Sequence, residues 1–188
     1  MSQAELLAYV AALLDGLKVE WMLVGSHAAS YYGEPRSTHD VDIVVHLPAE
    51  RIDELLAAVP QERYYLSEVA LREGRMANLI DLQTGDKVDM FLVGIRSVVP
   101  PELARRKTGM VMGTSVPIAS PEDTIIAKLR WNKAVGGSER QLRDIIGIVS
   151  LRRDDLNWPR LTQQIDGEGF RELWDHQIEP ELERRIDG

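Results

Sequence analysis

The sequence contains no cysteine, which excludes a disulfide framework and any thiolate metal site. That composition fits a reducing compartment, and a cytoplasmic location is expected. No apolar run approaches the length of a bilayer span, so no membrane segment is expected. The first residues, Met1-Ser2-Gln3-Ala4-Glu5, offer neither a basic region nor a cleavable apolar core, and no signal peptide is expected. An excess of positive charge is also missing. Lys and Arg total 22 against 30 Asp and Glu, for a formal net charge of −8. Proteins that rely on general phosphate contacts are basic, so non-specific DNA binding is disfavoured. Only local basic groups, Arg105-Arg106-Lys107 and Arg140 with Arg143, are candidates for contact with a polyanion.

What is present suits one domain of ordinary size, or a small domain with an appended helical part. The 188 residues are 44% hydrophobic, enough for a core. Apolar spacing predicts a helix over 4–17, a buried strand at 21–24, a helical stretch at 27–32 and a strand over 40–46. Pro48 opens a helix to about Ala58. Residues 67–71, 76–82 and 86–93 read as strands, the last two joined at Thr84-Gly85-Asp86. A helix is expected over 98–107 and one or two strands over 110–118. Ser120-Pro121-Glu122-Asp123 has a helix start: Ser as N-cap, Pro at the first helical position and an acid at N3. That helix runs to about Ala134. Ser138-Glu139-Arg140-Gln141 reads as a capping box opening a helix to about Leu151, with further helices at 158–166 and 168–186. The division is therefore a mixed α/β region, 1–119, and a helical region, 120–188. Trp131, Trp158 and Trp174 are expected to be core or helix-packing residues.

The chemistry concentrates in Val24-Gly25-Ser26 and Thr38-His39-Asp40-Val41-Asp42. Residues two apart on a strand share a face, so Asp40 and Asp42 project side by side. Like charges that close are relieved by a bound cation. Magnesium takes one or two carboxylates with phosphates and water. The Gly25-Ser26 turn leads from strand to helix, where unsatisfied N–H groups and the helix dipole favour phosphate. Asp89, in the apolar stretch Lys87-Val88-Asp89-Met90-Phe91, reaches the same metals if its strand adjoins the first. Three carboxylates can hold two metal ions, and Asp89 is also placed to act as general base. Asp81 and Asp86 are expected to be strand-end residues facing water.

Gly25-Ser26, thirteen residues, Asp40-Val41-Asp42 and a later strand-borne Asp89 together resemble the nucleotidyltransferase (polymerase β-like) superfamily. The resemblance implies an α/β (α+β) fold, a nucleotidyltransferase-like mixed sheet flanked by helices and followed by a C-terminal helical region. It also implies two Mg²⁺ ions on Asp40, Asp42 and Asp89, a nucleoside triphosphate substrate, and transfer of a nucleoside monophosphate to an acceptor hydroxyl with release of pyrophosphate. The second half resembles the AbiEii-type branch, through Ser120-Pro121-Glu122-Asp123, Ala127-Lys128-Leu129-Arg130 and Arg140-Gln141-Leu142-Arg143-Asp144-Ile145, with Arg36 and Thr38 upstream. By position, Lys128 and Arg130 are expected to bind the nucleotide, with Asp144 orienting Lys128 or a basic neighbour. His39 and Ser26 depart from residues common in that branch. The branch implies a toxin paired with an antitoxin, acting on tRNA or protein; small-molecule transfer, as in antibiotic-modifying relatives, is also open. The alternative is a non-catalytic nucleotide-binding or sensor module with the same fold.

Overall fold

The computed structural model describes residues 2–94 and 99–186. In chain order its elements are α1 (Gln3–Gly16), β1 (Glu20–Leu23), α2 (Gly25–Tyr32), β2 (Val41–His46), α3 (Ile52–Ala58), β3 (Tyr64–Leu66), α4 (Glu68–Glu73), β4 (Met76–Asp81), β5 (Lys87–Val93), α5 (Pro101–Ala104), β6 (Lys107–Val111) and β7 (Thr114–Ile118). The helices α6 (Pro121–Ala134), α7 (Glu139–Arg152), α8 (Trp158–Gly167), α9 (Arg171–Leu173) and α10 (Glu179–Ile186) complete the chain. Contacts divide it into two compact units. The first is Met1–His27 with Ser37–Ala119, and the second is Ala28–Arg36 with Ser120–Gly188.

The first unit is built on a seven-stranded mixed sheet, ordered β3-β4-β5-β2-β1-β7-β6. β2 lies at its centre, parallel to β5 and antiparallel to β1. The strict alternation in Val41-Asp42-Ile43-Val44-Val45 explains the position. Val41, Ile43 and Val45 are fully buried while Asp42 and Val44 on the other face are partly covered. Each such aliphatic side chain contributes about 1.5–3 kcal/mol on burial, and a one-residue slip would turn all three outward. Trp21, paired with Val45, donates its indole N–H to Asp15 near the end of α1 at 2.8 Å. On the Val44 face, Leu103 of α5 packs with Met22, Val44, Val93 and Ala119.

The second unit is helical. Ser120 caps α6: its hydroxyl accepts from the Asp123 N–H at 3.1 Å and donates to the Asp123 carboxylate at 2.6 Å. Arg160 donates to the same hydroxyl at 3.2 Å and also pairs with buried Glu122. The segment 28–36 belongs to this unit through close backbone packing. A Cβ on Gly33 would fall 2.9 Å from the Ile148 nitrogen, so α2 ends against α7 only because residue 33 has no side chain.

Several local expectations are corrected. Residues 67–71 form the cap and body of α4 rather than a strand. Ser67 accepts from the Ala70 N–H at 3.2 Å, and Gly74 closes the helix in the left-handed region. The strand there is β3, just upstream. The 98–107 helix shortens to the four residues of α5, with Val98 outside the described residues, and Lys107 already opens β6. Ser138 makes no side-chain cap; its N–H instead donates to Asn132 at 2.6 Å. The last helix is not continuous from 168. Glu168 caps α8, and a π-helical turn at Trp174–Ile178 separates α9 from α10. Trp158 and Trp174 meet edge to face at 6.4 Å, whereas Trp131 is 57% exposed and outside the core. Asp81 does not face water. It is wholly buried and ion-paired to Arg63 at 2.8 Å, which is how a charge is accommodated there. Asp86 is partly covered.

Candidate active site

β1 runs out at Leu23 and the chain turns at Gly25 into α2. Gly25 has φ +64°, a left-handed conformation that glycine adopts at little cost. The absence of a side chain matters more. A Cβ at this position would fall 2.7 Å from Cγ of Asp42. The Asp42 carboxylate therefore rests against the backbone of the turn, and the Val24 N–H donates to the Asp42 carbonyl at 2.9 Å. Ser26 follows in the first turn of α2, partly covered. Glycine is thus required by contact with the acid as well as by the turn.

Asp42 and Asp89 are register partners on the adjacent parallel strands β2 and β5. Directly paired residues point to the same face, so the two carboxylates lie side by side. Asn78 on β4 is the partner of Asp89 on the other side. Its amide donates to Asp89 at 2.5 Å. Asp40 lies just ahead of β2, partly covered and close enough to join the group through a cation. Asp89 is only 9% exposed, and its burial is compensated by these partners.

That cation is Lys87, to which the sequence pattern assigned no role. It stands two residues before Asp89 and so shares its face. Its ammonium donates to both Asp89 oxygens at 3.0 and 2.9 Å and lies 3.4 Å from Asp40. Hydrogen bonding to Asp89 holds the Lys87 pKa above its ordinary value, with the charges of Asp89 and Asp40 adding to the effect. The signal was available in the Lys-x-Asp spacing, but its meaning depended on β5 lying beside β2.

The remaining predicted residues lie in the second unit. Lys128 is 5% exposed and pairs with Asp144 at 2.6 Å. Asp144 also accepts a two-pronged bond from Arg36, at 2.9 and 3.0 Å. Burial pushes the Asp144 pKa up, but hydrogen bonds from Arg36 and Lys128 outweigh it and leave the carboxyl below its ordinary value. Arg130 pairs with Glu168 at 2.6 Å. His39 is exposed.

No three carboxylates or imidazoles among the described residues form a ready-made metal cage. Magnesium does not need one: its usual protein share is one or two carboxylates, with phosphate and water completing the shell. Asp42 and Asp89, paired on adjacent strands, with Asp40 just ahead of β2 and 3.4 Å from the Lys87 that also pairs with Asp89, are carboxylate donors of the kind that hard ion takes.

Solved structures share this architecture. An antigenic nucleotidyltransferase-like protein from Paracoccidioides brasiliensis is 18% identical, with a TM-score of 0.59 over 93% of this chain and 91% of that one. ANT(2")-Ia in complex with adenylyl-2"-tobramycin is 14% identical, with a TM-score of 0.61 over 92% and 99%. The lincosamide antibiotic adenylyltransferase LnuA, lincomycin-bound, is 15% identical, with a TM-score of 0.55 over 80% and 98%. No protein-family profile and no curated protein matches the sequence. The chain has a nucleotidyltransferase-like fold: a seven-stranded mixed sheet flanked by helices, with a C-terminal set of helices.

Proposed function

We propose that this protein is a magnesium-dependent nucleotidyltransferase that moves a nucleoside monophosphate from a nucleoside triphosphate to an acceptor hydroxyl. The observation that carries the reading is the register of Asp42 beside Asp89, with the Gly25 backbone packed on Asp42, in a sheet of this fold. Asp40, Asp42 and Asp89 would hold the metal. When bound, magnesium supplies positive charge that neutralises the phosphates and stabilises the attacking and leaving oxygens. The chain's own contribution is orientation. Gly25 and Ser26 seat phosphate oxygens on backbone N–H groups and a hydroxyl at the start of α2. Asp89, aligned by Asn78, takes the proton of the acceptor hydroxyl. That oxygen bonds to the α-phosphorus as its bond to pyrophosphate breaks. Lys128 and Arg130 are the second unit's proposed contribution to nucleotide binding, with Asp144 orienting Lys128. Region 1–119 is read as catalytic and 120–188 as its helical accessory, acting in the cytoplasm, where the triphosphate and magnesium are at hand.

A small hydroxyl-bearing acceptor is favoured within the first unit. Arg106 is engaged by Glu20 at 3.4 Å, and Lys107 sits on the outermost strand, β6, with β7, β1 and β2 between it and β5. Neither Arg106 nor Lys107 stands beside Asp89. The structural neighbours named for tobramycin and lincomycin agree in kind. A tRNA end, a protein hydroxyl and an antitoxin partner of the AbiEii type are the competing outcomes. Incubation with each labelled triphosphate, magnesium and separate small-molecule, RNA and protein fractions of a cell extract tests the assignment. Label in the small-molecule fraction supports it; label confined to RNA or protein overturns the acceptor class; triphosphate binding with no labelled product favours a non-catalytic module.

A further inference from the structure

Lys87 lies within ion-pair reach of two members of the acidic trio, Asp89 and Asp40, and the nucleotide-transfer steps make no use of it. Its ammonium lies 2.9 Å from Asp89 and 3.4 Å from Asp40. All three oxygens it meets belong to carboxylates assigned to the metal. A lysine ammonium and a divalent cation cannot share these oxygens without placing like charges in contact. The side chain is also free to leave. The Lys87 side chain is 38% exposed, against 13% for the side chain of Asp89, and its four-carbon stem lets the charge move to water without unpacking the strand.

Resting on the metal-centre reading above, we propose that Lys87 is a built-in counter-ion that holds the carboxylates together without metal and is displaced when a divalent cation binds. Its position follows from the strand register: Val88 pairs with Val41, which leaves Lys87 at the start of β5 within 3.4 Å of Asp40, just ahead of β2, with Asp89 two residues on along its own strand face. In the metal-free protein the ammonium offsets repulsion between Asp40 and Asp89. On loading, the ion takes over that task and Lys87 swings out. The device sets the cation concentration at which the centre fills.

The test is calorimetric titration with Mn²⁺, alongside thermal unfolding with and without Mn²⁺, on wild type, Lys87→Met, Lys87→Arg and Lys107→Met. Lys107→Met makes the same change in net charge on a distant strand. The expected result is that Lys87→Met binds Mn²⁺ about five- to tenfold more tightly. It also unfolds about 3 °C lower without metal and gains more from Mn²⁺ than wild type. Lys87→Arg returns the dissociation constant towards wild type, and Lys107→Met leaves it unchanged. Saturable Mn²⁺ binding by wild type with equal or weaker binding by Lys87→Met overturns the counter-ion role alone. So does an equal gain in Lys107→Met. Absence of saturable Mn²⁺ binding in every variant overturns the metal-centre reading itself.

Discussion

At the residue scale, the contact between Gly25 and Asp42 joins backbone conformation to chemistry. An alanine here meets both a left-handed φ and the Asp42 carboxylate. Gly25→Ala is predicted to lower stability by about 1–3 kcal/mol in urea titration and to cut nucleotide transfer more severely than that loss explains, because Asp42 must move. Transfer at the wild-type rate would show that the turn does not position the acid. Asp144 makes a separate prediction. Its folded pKa is lowered, so its stabilising contribution is complete above its ordinary value of 3.8 and is lost as pH falls through the folded value. Asp144→Asn is therefore predicted to cost about 3 kcal/mol near pH 7, since Lys128 and Arg36 lose a shared carboxylate. The gap to wild type should close as the pH drops below 3.8. A gap independent of pH would deny the ion pairs that role.

At the element scale, what the sequence made legible was set by short-range rules. The alternation of Val41, Ile43 and Val45 around Asp42 reads as a half-buried strand, and the structure places it at the centre of the sheet. Ser120-Pro121 reads as a helix start because both the hydroxyl cap and the proline act within one turn. Ser120→Ala is predicted to cost about 1–2 kcal/mol by denaturant titration, since it removes the cap and a partner of Arg160. A loss under a few tenths would mean that Arg160 and Glu122 hold α6 alone. The failures have the opposite origin. Ser67-Glu68-Val69-Ala70-Leu71 carries strand-like residues, yet one cap hydrogen bond and Gly74 make it a helix. Asp81 reads as a surface residue, but Arg63, eighteen positions earlier, supplies its partner. Asn78 and Lys87 gain meaning only from the β4-β5-β2 order, which no local pattern specifies.

At the scale of the whole molecule, the net charge of −8 disfavours broad contact with a polyanion, the basis of the proposed small acceptor. Among the described residues no helix is long and apolar enough to cross a membrane. The rate of transfer to the identified acceptor is predicted to change by less than about twofold between 50 and 200 mM salt. An RNA acceptor held by several phosphate contacts would lose roughly a thousandfold in affinity over that range. Salt dependence of that size would reverse the preference for a small acceptor. The fold class was legible because Gly25-Ser26, Asp40, Asp42 and Asp89 form a pattern across two strands and a helix; the acceptor was not, because no residue stretch in this chain encodes its shape.

Nucleotidyl transfer at this site is decided by pyrophosphate release from a nucleoside triphosphate, measured with magnesium and the acceptor fraction for wild type, Asp42→Asn and Asp89→Asn. Wild type is predicted to release pyrophosphate only with magnesium, and Asp42→Asn and Asp89→Asn to lose at least about a hundredfold while remaining folded by circular dichroism. Release that persists in Asp42→Asn, or that does not depend on magnesium, would contradict the assignment.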